Sequence, residues 1–314
     1  GNVPLHYVSS CGDLRAIRFL TRARNADINI RNNLEQTPLH VACMYRRYGA
    51  IPCLVAEMGA DRNAQDAQGN TPLHLYCDSP GADADAISHL LILNPRTGDV
   101  NIQNGQQQTP LHLACIHGRL EAVRILVGQL GADVNAKDMQ GNAPIHVVCC
   151  YGDSNAVRFF VEATDANINI RNNLQQTPMH LACATGQQEV AEYLIDRPNV
   201  EANAGDVDGA TMIHMACLGG YWDLAQSLAA RKKVDINAVN TTGNTALHIL
   251  CCWGQLNVVR DFVEVFEADI TITNNDGSTP LDLATSKGHW EVESYLTWAY
   301  QQRHLRQAPP GQEQ

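Results

Sequence analysis

The feature that most constrains this chain is a short motif that recurs nine times. The motif is a variant of Thr-Pro-Leu-His, and successive copies lie 34 residues apart except for one step of 38 between Thr71 and Thr109. A fixed period of this length predicts stacked supersecondary units with a long modular surface, and not a closed globule with a catalytic cleft. We number the repeats 1 to 9 by anchors at residues 3–6, 37–40, 71–74, 109–112, 143–146, 177–180, 211–214, 245–248 and 279–282.

The fourth repeat shows most clearly what each unit contains. Thr109 is a suitable helix N-cap, and Pro110 follows at the first helical position, where no backbone donor is needed. Apolar residues then recur at helical spacing in two short segments separated by Gly118. The second segment ends at Gly131, which suits left-handed geometry, and residues 138–141 have the composition of a turn. Each repeat is therefore predicted to hold two short helices and a projecting loop.

The chain resembles the ankyrin repeat family in these motifs. Thr-Pro-Leu-His-x-Ala and Gly-Ala-Asp-Val-Asn-Ala both occur in repeat 4, and nine copies hold register over about residues 1–300. The resemblance implies an all-α repeat solenoid, with paired antiparallel helices, hairpin-like fingers and one curved stack. Residues 301–314 are polar and are expected to form a tail or linker.

The rows of His and Cys have structural interpretations. In the family, the anchor His ties its helix to the adjacent finger, so the resemblance implies no catalytic or metal role for it. Seven Cys stand three residues after the anchor His, on equivalent helices about 8–10 Å apart, too far for disulfide or zinc geometry. We expect them to be buried apolar groups in a reducing compartment, and we expect no cofactor and no metal.

The net charge and the sequences at the two ends limit which kinds of partner the chain is expected to have. The net charge is −11, with +3 on residues 1–62 and therefore −14 on residues 63–314, which disfavours nucleic acid as a partner. No stretch is apolar enough to insert into a membrane. The chain starts inside a repeat and lacks an initial Met, so we expect a piece of a longer protein. As a fragment it is expected to be a monomer and intracellular, in the cytoplasm or the nucleus.

Departures from the repeat pattern are the first candidates for function. Arg46 stands where seven other repeats have Gly, so its turn is expected to have a different shape. Arg47 follows it, and tyrosines flank the pair, a composition that suits carboxylates, phosphopeptides or aromatic ligands. Repeat 3 carries a four-residue insertion within residues 78–85, next to this turn. These irregular loops are either a binding edge or tolerated length variation.

A second set of candidates is an apolar series at positions that the family exposes toward its concave side. Packing between neighbouring repeats is the competing interpretation, and Trp222 is assigned to the core on its register. On the first helices the series comprises Tyr45, His117, Cys150, Tyr151, Leu218, Cys252 and Trp253, and on the fingers it comprises Leu34, Met139, Leu174 and Val207.

These observations favour a non-catalytic scaffold that holds a protein or peptide partner on its concave and finger surfaces. A targeting or substrate-recruiting domain of a larger kinase, channel, ligase or transferase is an alternative, as is a linker between a membrane and the cytoskeleton. Enzymatic activity is not expected, because the chain has no Gly-rich phosphate loop, no Gly-x-Ser-x-Gly elbow and no His-Glu-x-x-His helix.

Overall fold

The computed structural model describes residues 1–79 and 99–307. Within those residues all regular structure is helical, and no strand occurs. The first helices of the nine repeats are Pro4–Cys11, Pro38–Met44, Pro72–Asp78, Pro110–Ile116, Pro144–Tyr151, Pro178–Ala184, Met212–Leu218, Ala246–Trp253 and Pro280–Lys287. This pattern confirms the predicted all-α repeat solenoid.

The second helices follow after a tight turn. Those described are Leu14–Arg18, Ala50–Pro52, Leu120–Gly128, Ser154–Ala163, Gln188–Ile195, Trp222–Ala229, Leu256–Glu264 and Trp290–Gln307, and the first two continue as the π-helical turns Phe19–Ala23 and Cys53–Glu57. The last of these helices runs through residues 301–307, so the first half of the predicted polar tail is helical.

A His-containing capping box starts most first helices. In repeat 3, Thr71 adopts an extended backbone conformation and its hydroxyl accepts the N–H of His74 at 3.4 Å. The imidazole Nδ1 of His74 accepts the N–H of Thr71 in return, at 3.1 Å. Two of the N–H groups that a helix start leaves unpaired are therefore satisfied by the motif itself. Pro72 occupies the first helical position, as predicted.

The turns of repeat 4 follow the sequence-based assignments. Gly118 and Gly131 have φ of +61° and +70°, so both adopt the left-handed conformation for which Gly carries no Cβ penalty. In the finger, Gly141 donates its N–H to the carbonyl of Asp138 at 2.8 Å. The Oδ1 atom of Asp138 accepts the N–H groups of Gln140 and Asn142, which fixes the loop locally.

The chain divides into two compact units, Gly1–Val148 with Asp153–Asn173 and Cys149–Gly152 with Leu174–Gln314. In the first unit, the first helices of repeats 1 to 4 pack in chain order, and the core includes Leu39, Leu54, Leu111 and Phe160. In the second unit, first helices pack on first helices and second on second from repeat 6 to repeat 9, around Ile213, Leu228, Phe262 and Leu296. Burial of these apolar stripes stabilises each stack.

Main-chain hydrogen bonds connect neighbouring fingers within each unit. In the first unit, the N–H of Met139 donates to the carbonyl of Gln106 at 3.0 Å. In the second, the N–H of Val207 donates to the carbonyl of Leu174 at 2.9 Å, and that of Thr241 donates to the carbonyl of Asp208 at 2.8 Å. Side chains at the finger tips are therefore held at a regular spacing on an ordered backbone.

Candidate protein-interaction surface

The anchor His residues are engaged in structural hydrogen bonds. Nδ1 of His74 accepts from the Thr71 backbone and hydroxyl, so the proton must be on Nε2, which lies 2.9 Å from the carbonyl of Gln108 in the next finger. His112 repeats this pattern toward the carbonyl of Asn142, at 3.0 Å. Burial lowers the pKa of His74 to about 4 and also lowers that of His112. Both rings are neutral structural donors at neutral pH.

The repeated Cys row is buried, as predicted. Its seven members are Cys43, Cys77, Cys115, Cys149, Cys183, Cys217 and Cys251. Burial raises the pKa of the Cys77 thiol to about 12, and it raises the pKa of the other six as well. These thiols are therefore weak nucleophiles. Among the described residues, no three His, Cys, Asp or Glu side chains are grouped so that they could hold a metal ion.

Arg46 keeps the turn shape that Gly has in other repeats, so the expected change of shape is wrong. Its φ is +54°, close to the +61° of Gly118. The guanidinium donates through Nη2 to the carbonyls of Tyr76, at 3.3 Å, and Ser79, and it lies 4.8 Å from the centre of the Tyr76 ring. Hydrogen bonds from a charged donor contribute about 1.5–3 kcal/mol each. They act against the roughly 1 kcal/mol cost of the left-handed residue and against the cost of Nε and Nη1, which are buried with no hydrogen-bond partner among the described residues.

Arg47 is also bonded to a neighbouring repeat. Its Nε donates to the carbonyl of Ser10, and its side chain lies over the turn at Gly12. Tyr45, which precedes the two arginines, exposes more than half of its side chain. Both arginines at the turn of repeat 2 therefore donate to backbone carbonyls, and Tyr45 is an exposed aromatic ring beside them.

The insertion of repeat 3 is described only at its start. Asp78 and Ser79 lie within the described residues, and residues 80–85 of the insertion lie outside them. The Ser79 hydroxyl donates to the carbonyl of Leu75 at 2.7 Å and closes the helix end. Oδ1 of Asp78 lies 2.8 Å from Nε2 of His117, one repeat further on. The candidate residue His117 is therefore engaged with a carboxylate of the adjacent helix end.

Three aromatic candidates occupy one position in different repeats, five residues after the anchor His. Tyr45, Tyr151 and Trp253 all lie at the C-terminal ends of first helices, and each side chain is more than half exposed. Leu218, one position earlier in repeat 7, is also more than half exposed. Cys150 and Cys252 are half-buried, and burial raises the pKa of both thiols. Exposed aromatic rings held at helix ends are suited to bury area against a partner at low entropic cost.

The finger candidates are exposed as well. Leu34, Met139, Leu174 and Val207 are each more than half exposed. In the second unit, the backbone bond from Val207 to Leu174 places these two apolar residues on adjacent finger tips. In the first unit, Leu34 and Met139 belong to the fingers before repeats 2 and 5, which are not neighbours. The structure therefore brings together one finger pair and not the other.

Trp222 is only partly buried, so its assignment to the core is wrong. Its ring lies edge-to-face against Trp253, with centroids 6.3 Å apart. Tyr221 precedes it, and its ring fills the space that the absent side chains of Gly186 and Gly219 leave. The exposed end of the first helix in repeat 8 is therefore part of an aromatic cluster that reaches the start of the second helix in repeat 7.

Some exposed aromatics were not among the sequence-based candidates. Trp290, Trp298 and Tyr300 lie on the last helix and are 69%, 52% and 46% exposed. Trp290 and Trp298 fall at the register of Leu256 and Glu264, the two ends of the second helix of repeat 8, and Tyr300 lies on the extension that makes the last helix longer. The signal that could have found them is their density, since four large rings, these three and Tyr295, fall within residues 290–300.

The comparisons with known proteins agree with this architecture. The family model for ankyrin repeats (3 copies) matches residues 5–104, 47–138, 79–172, 145–239 and 213–304. This all-α solenoid of paired helices belongs to the ankyrin repeat family, whose repeats generally mediate protein–protein interactions and are generally not catalytic. A comparison with curated proteins finds none that matches the chain. No helix in the described part of the chain combines the length and apolarity that crossing a bilayer requires.

Proposed function

We propose that this chain is a non-catalytic interaction module that binds a protein or peptide partner through its first-helix ends and finger tips. The observation that carries the proposal is the exposure of Tyr45, Tyr151 and Trp253 at one equivalent position in three repeats. The fold does not require a large ring at this position, since repeat 6 has Thr185 and repeat 7 has Gly219 there.

Binding energy at such a surface is expected to come from a few desolvated rings. Tyr151 and Trp253 both belong to the second unit, together with the finger pair Leu174 and Val207. Aromatic anchors commonly contribute most of the affinity, while polar neighbours set register and exclude water. The arginines at positions 46 and 47 are assigned a smaller part, because their guanidinium groups already donate to carbonyls of neighbouring repeats.

The test compares capture of binding proteins from native lysate by the wild type and by a Tyr151→Ala/Trp253→Ala variant. We expect the double variant to bind its partner more weakly by over about 1 kcal/mol. Loss of the Trp222–Trp253 ring pair also lowers stability by about 0.5–1.5 kcal/mol, so binding is measured well below the melting temperature of both proteins.

The matched control is Phe19→Ala/Val265→Ala, which removes two apolar side chains of similar exposure, one within the second helix of repeat 1 and one at the end of that of repeat 8. This variant should bind as the wild type does. Equal binding by the wild type and the Tyr151→Ala/Trp253→Ala variant would show that the first-helix ends are not the docking surface.

A further inference from the structure

The last helix creates a groove beside the loop that ends repeat 8. Trp290–Gln307 spans 18 residues, twice the nine of Leu256–Glu264 in the repeat before it. Its second half runs beside the loop that follows Leu256–Glu264. Nη2 of Arg303 donates to the carbonyls of Val263 and Ala268, at 3.4 and 3.1 Å. Because these carbonyls lie at and just beyond the end of that helix, Arg303 holds the extension against repeat 8.

The groove lies between this extension and the loop, and its volume is about 1050 Å³. Its walls combine aromatic rings with carboxylates: Tyr295, Trp298, Tyr300, Glu264, Glu267 and Asp269. A second hollow of about 580 Å³, nearer the starts of the same two helices, shares Glu264, Tyr295 and Trp298 with it. Together the two spaces are large enough to accept a segment of chain and not only a small ion.

The polar groups of the groove leave negative charge facing solvent. Oδ1 of Asp269 accepts the N–H and hydroxyl of Thr271, and these bonds hold the pKa of Asp269 below its usual range. Oε1 of Glu264 accepts the Tyr295 hydroxyl at 3.0 Å, and Glu267 is exposed at the rim. Arg303 is the one cation among the described residues that line the groove, and its Nη2 is directed at carbonyls.

One arginine of the chain already lies on this aromatic wall. The guanidinium carbon of Arg260 lies 5.3 Å from the centre of the Tyr295 ring. The Trp298 ring is 6.0 Å from that of Tyr295, at an interplanar angle of 34°. Within the described residues no guanidinium or ammonium lies over Trp298, although Trp is the aromatic side chain that attracts cations most strongly.

We propose that this groove binds an arginine-bearing segment of a partner protein, with a guanidinium over Trp298 and with Glu264 and Glu267 as its counter-charges. A planar guanidinium suits this wall, because it stacks on rings and forms two-pronged bonds with carboxylates. Phosphate groups are repelled by the same carboxylates. The groove is formed by second helices and their loop, so the proposal stands apart from the surface of first-helix ends and finger tips.

The test uses a peptide of alternating Arg and Ala, and the same peptide with neutral citrulline in place of Arg. The chain has four Trp, so indole ¹H–¹⁵N signals report on each site, with the Trp298 signal assigned through Trp298→Phe. We expect the Arg peptide to shift the Trp298 signal saturably, while the Trp222 and Trp253 signals stay in place. The citrulline peptide should bind about tenfold more weakly. Equal binding of the two peptides, or equal shifts at Trp253, would overturn the proposal.

Two pairs of variants separate the site from general attraction to an acidic protein. Glu264→Gln/Glu267→Gln should weaken Arg-peptide binding about fivefold, and the amide introduced at position 264 can still accept the Tyr295 hydroxyl. Glu189→Gln/Asp208→Asn removes the same charge from exposed positions outside the groove and should leave binding unchanged. Equal weakening by both pairs would contradict a defined site.

A second comparison tests the ring itself. Trp298→Phe keeps an aromatic face and should retain most of the binding, whereas Trp298→Leu keeps apolar area and should lose about tenfold. If the two variants bind the Arg peptide with equal affinity, the groove binds through apolar area alone, which would contradict cation recognition. If Trp298→Leu fails to fold, the carboxylate pair decides the outcome.

Discussion

At the scale of single residues, position in the repeat decides what a side chain does. His74 lies in a buried network between Thr71 and Gln108, whereas His117 lies near the surface beside Asp78. Anchor His residues whose pKa is lowered by burial are His40, His74, His112, His214 and His248. Burial therefore protects these five rings from protonation in the folded chain.

Mild acid is expected to destabilise the fold through this network. In the unfolded chain, His takes up a proton near its ordinary pKa of 6.5, whereas folded His74 does so only at about 4. Between these values the unfolded state binds more protons, so the free energy of unfolding falls as the pH falls. Each such His contributes up to about 1.4 kcal/mol per pH unit. Urea unfolding at several pH values between about 7 and about 5 gives the slope of the free energy of unfolding against pH. Most carboxylates titrate below this window.

The control for this prediction is His74→Gln, which removes one titrating ring. The variant should be less stable than the wild type at neutral pH, and its stability should fall less steeply on acidification. A wild-type stability that stays constant or rises as the pH falls through this window would contradict the assignment of neutral, buried rings.

At the scale of helices and turns, side chains that follow the left-handed turn join one repeat to the one before it. Gln187 donates to the carbonyl of Cys150 across Gly152, and Nε2 of His289 lies 2.9 Å from the carbonyl of Cys252 across Gly254. Tyr221 occupies the equivalent place beside Gly186 with an aromatic ring. The two hydrogen bonds satisfy carbonyls near the ends of first helices, which would otherwise lack partners.

Gly186→Ala is expected to be more damaging than Gly118→Ala, although both residues have positive φ. A Cβ at Gly118 would meet no atom within 4 Å, so this change should cost about 1 kcal/mol from backbone strain alone. A Cβ at Gly186 would collide with the Tyr221 ring, which adds about 1–3 kcal/mol of overpacking. Chemical denaturation of the two variants measures the difference.

A double-variant cycle with Tyr221→Ala identifies the cause. The extra cost of Gly186→Ala should disappear when the ring is absent, which would give a favourable coupling between the two substitutions. Equal destabilisation by Gly186→Ala and Gly118→Ala would contradict the proposed packing of Tyr221.

How much of this structure the sequence could predict depends on whether the governing interaction is local. The start of the Pro110–Ile116 helix follows from Thr109, because capping acts within one turn. The left-handed conformation of Arg46 cannot be predicted in this way, because its guanidinium donates to carbonyls of the next repeat, those of Tyr76 and Ser79. The aromatic groove at Trp298 cannot be predicted from register, because one of its walls is the part of the last helix beyond Trp298, and Leu256–Glu264 has no such extension.

At the scale of the whole molecule, we propose that the fold and partner binding depend on different residues. The repeated Thr, His, Cys and turn glycines serve the fold itself, as the bonded His74 and the buried Cys77 show. The exposed rings are irregular in type and occur in only some repeats, as Tyr151 and Trp253 show. A solenoid allows this division, because substitutions at exposed positions leave the stacking of neighbouring repeats intact. We therefore propose that the partner binds at these exposed positions.

Site-specific photo-cross-linking shows where the partner touches the chain. A benzophenone amino acid placed at position 151 or 253, in native lysate, should form covalent adducts with the same partner protein. The same group at position 19 or 265, on exposed residues of the second helices of repeats 1 and 8, should form no such adduct. Adducts to one partner from positions 19 and 265, with none from positions 151 and 253, would contradict the account.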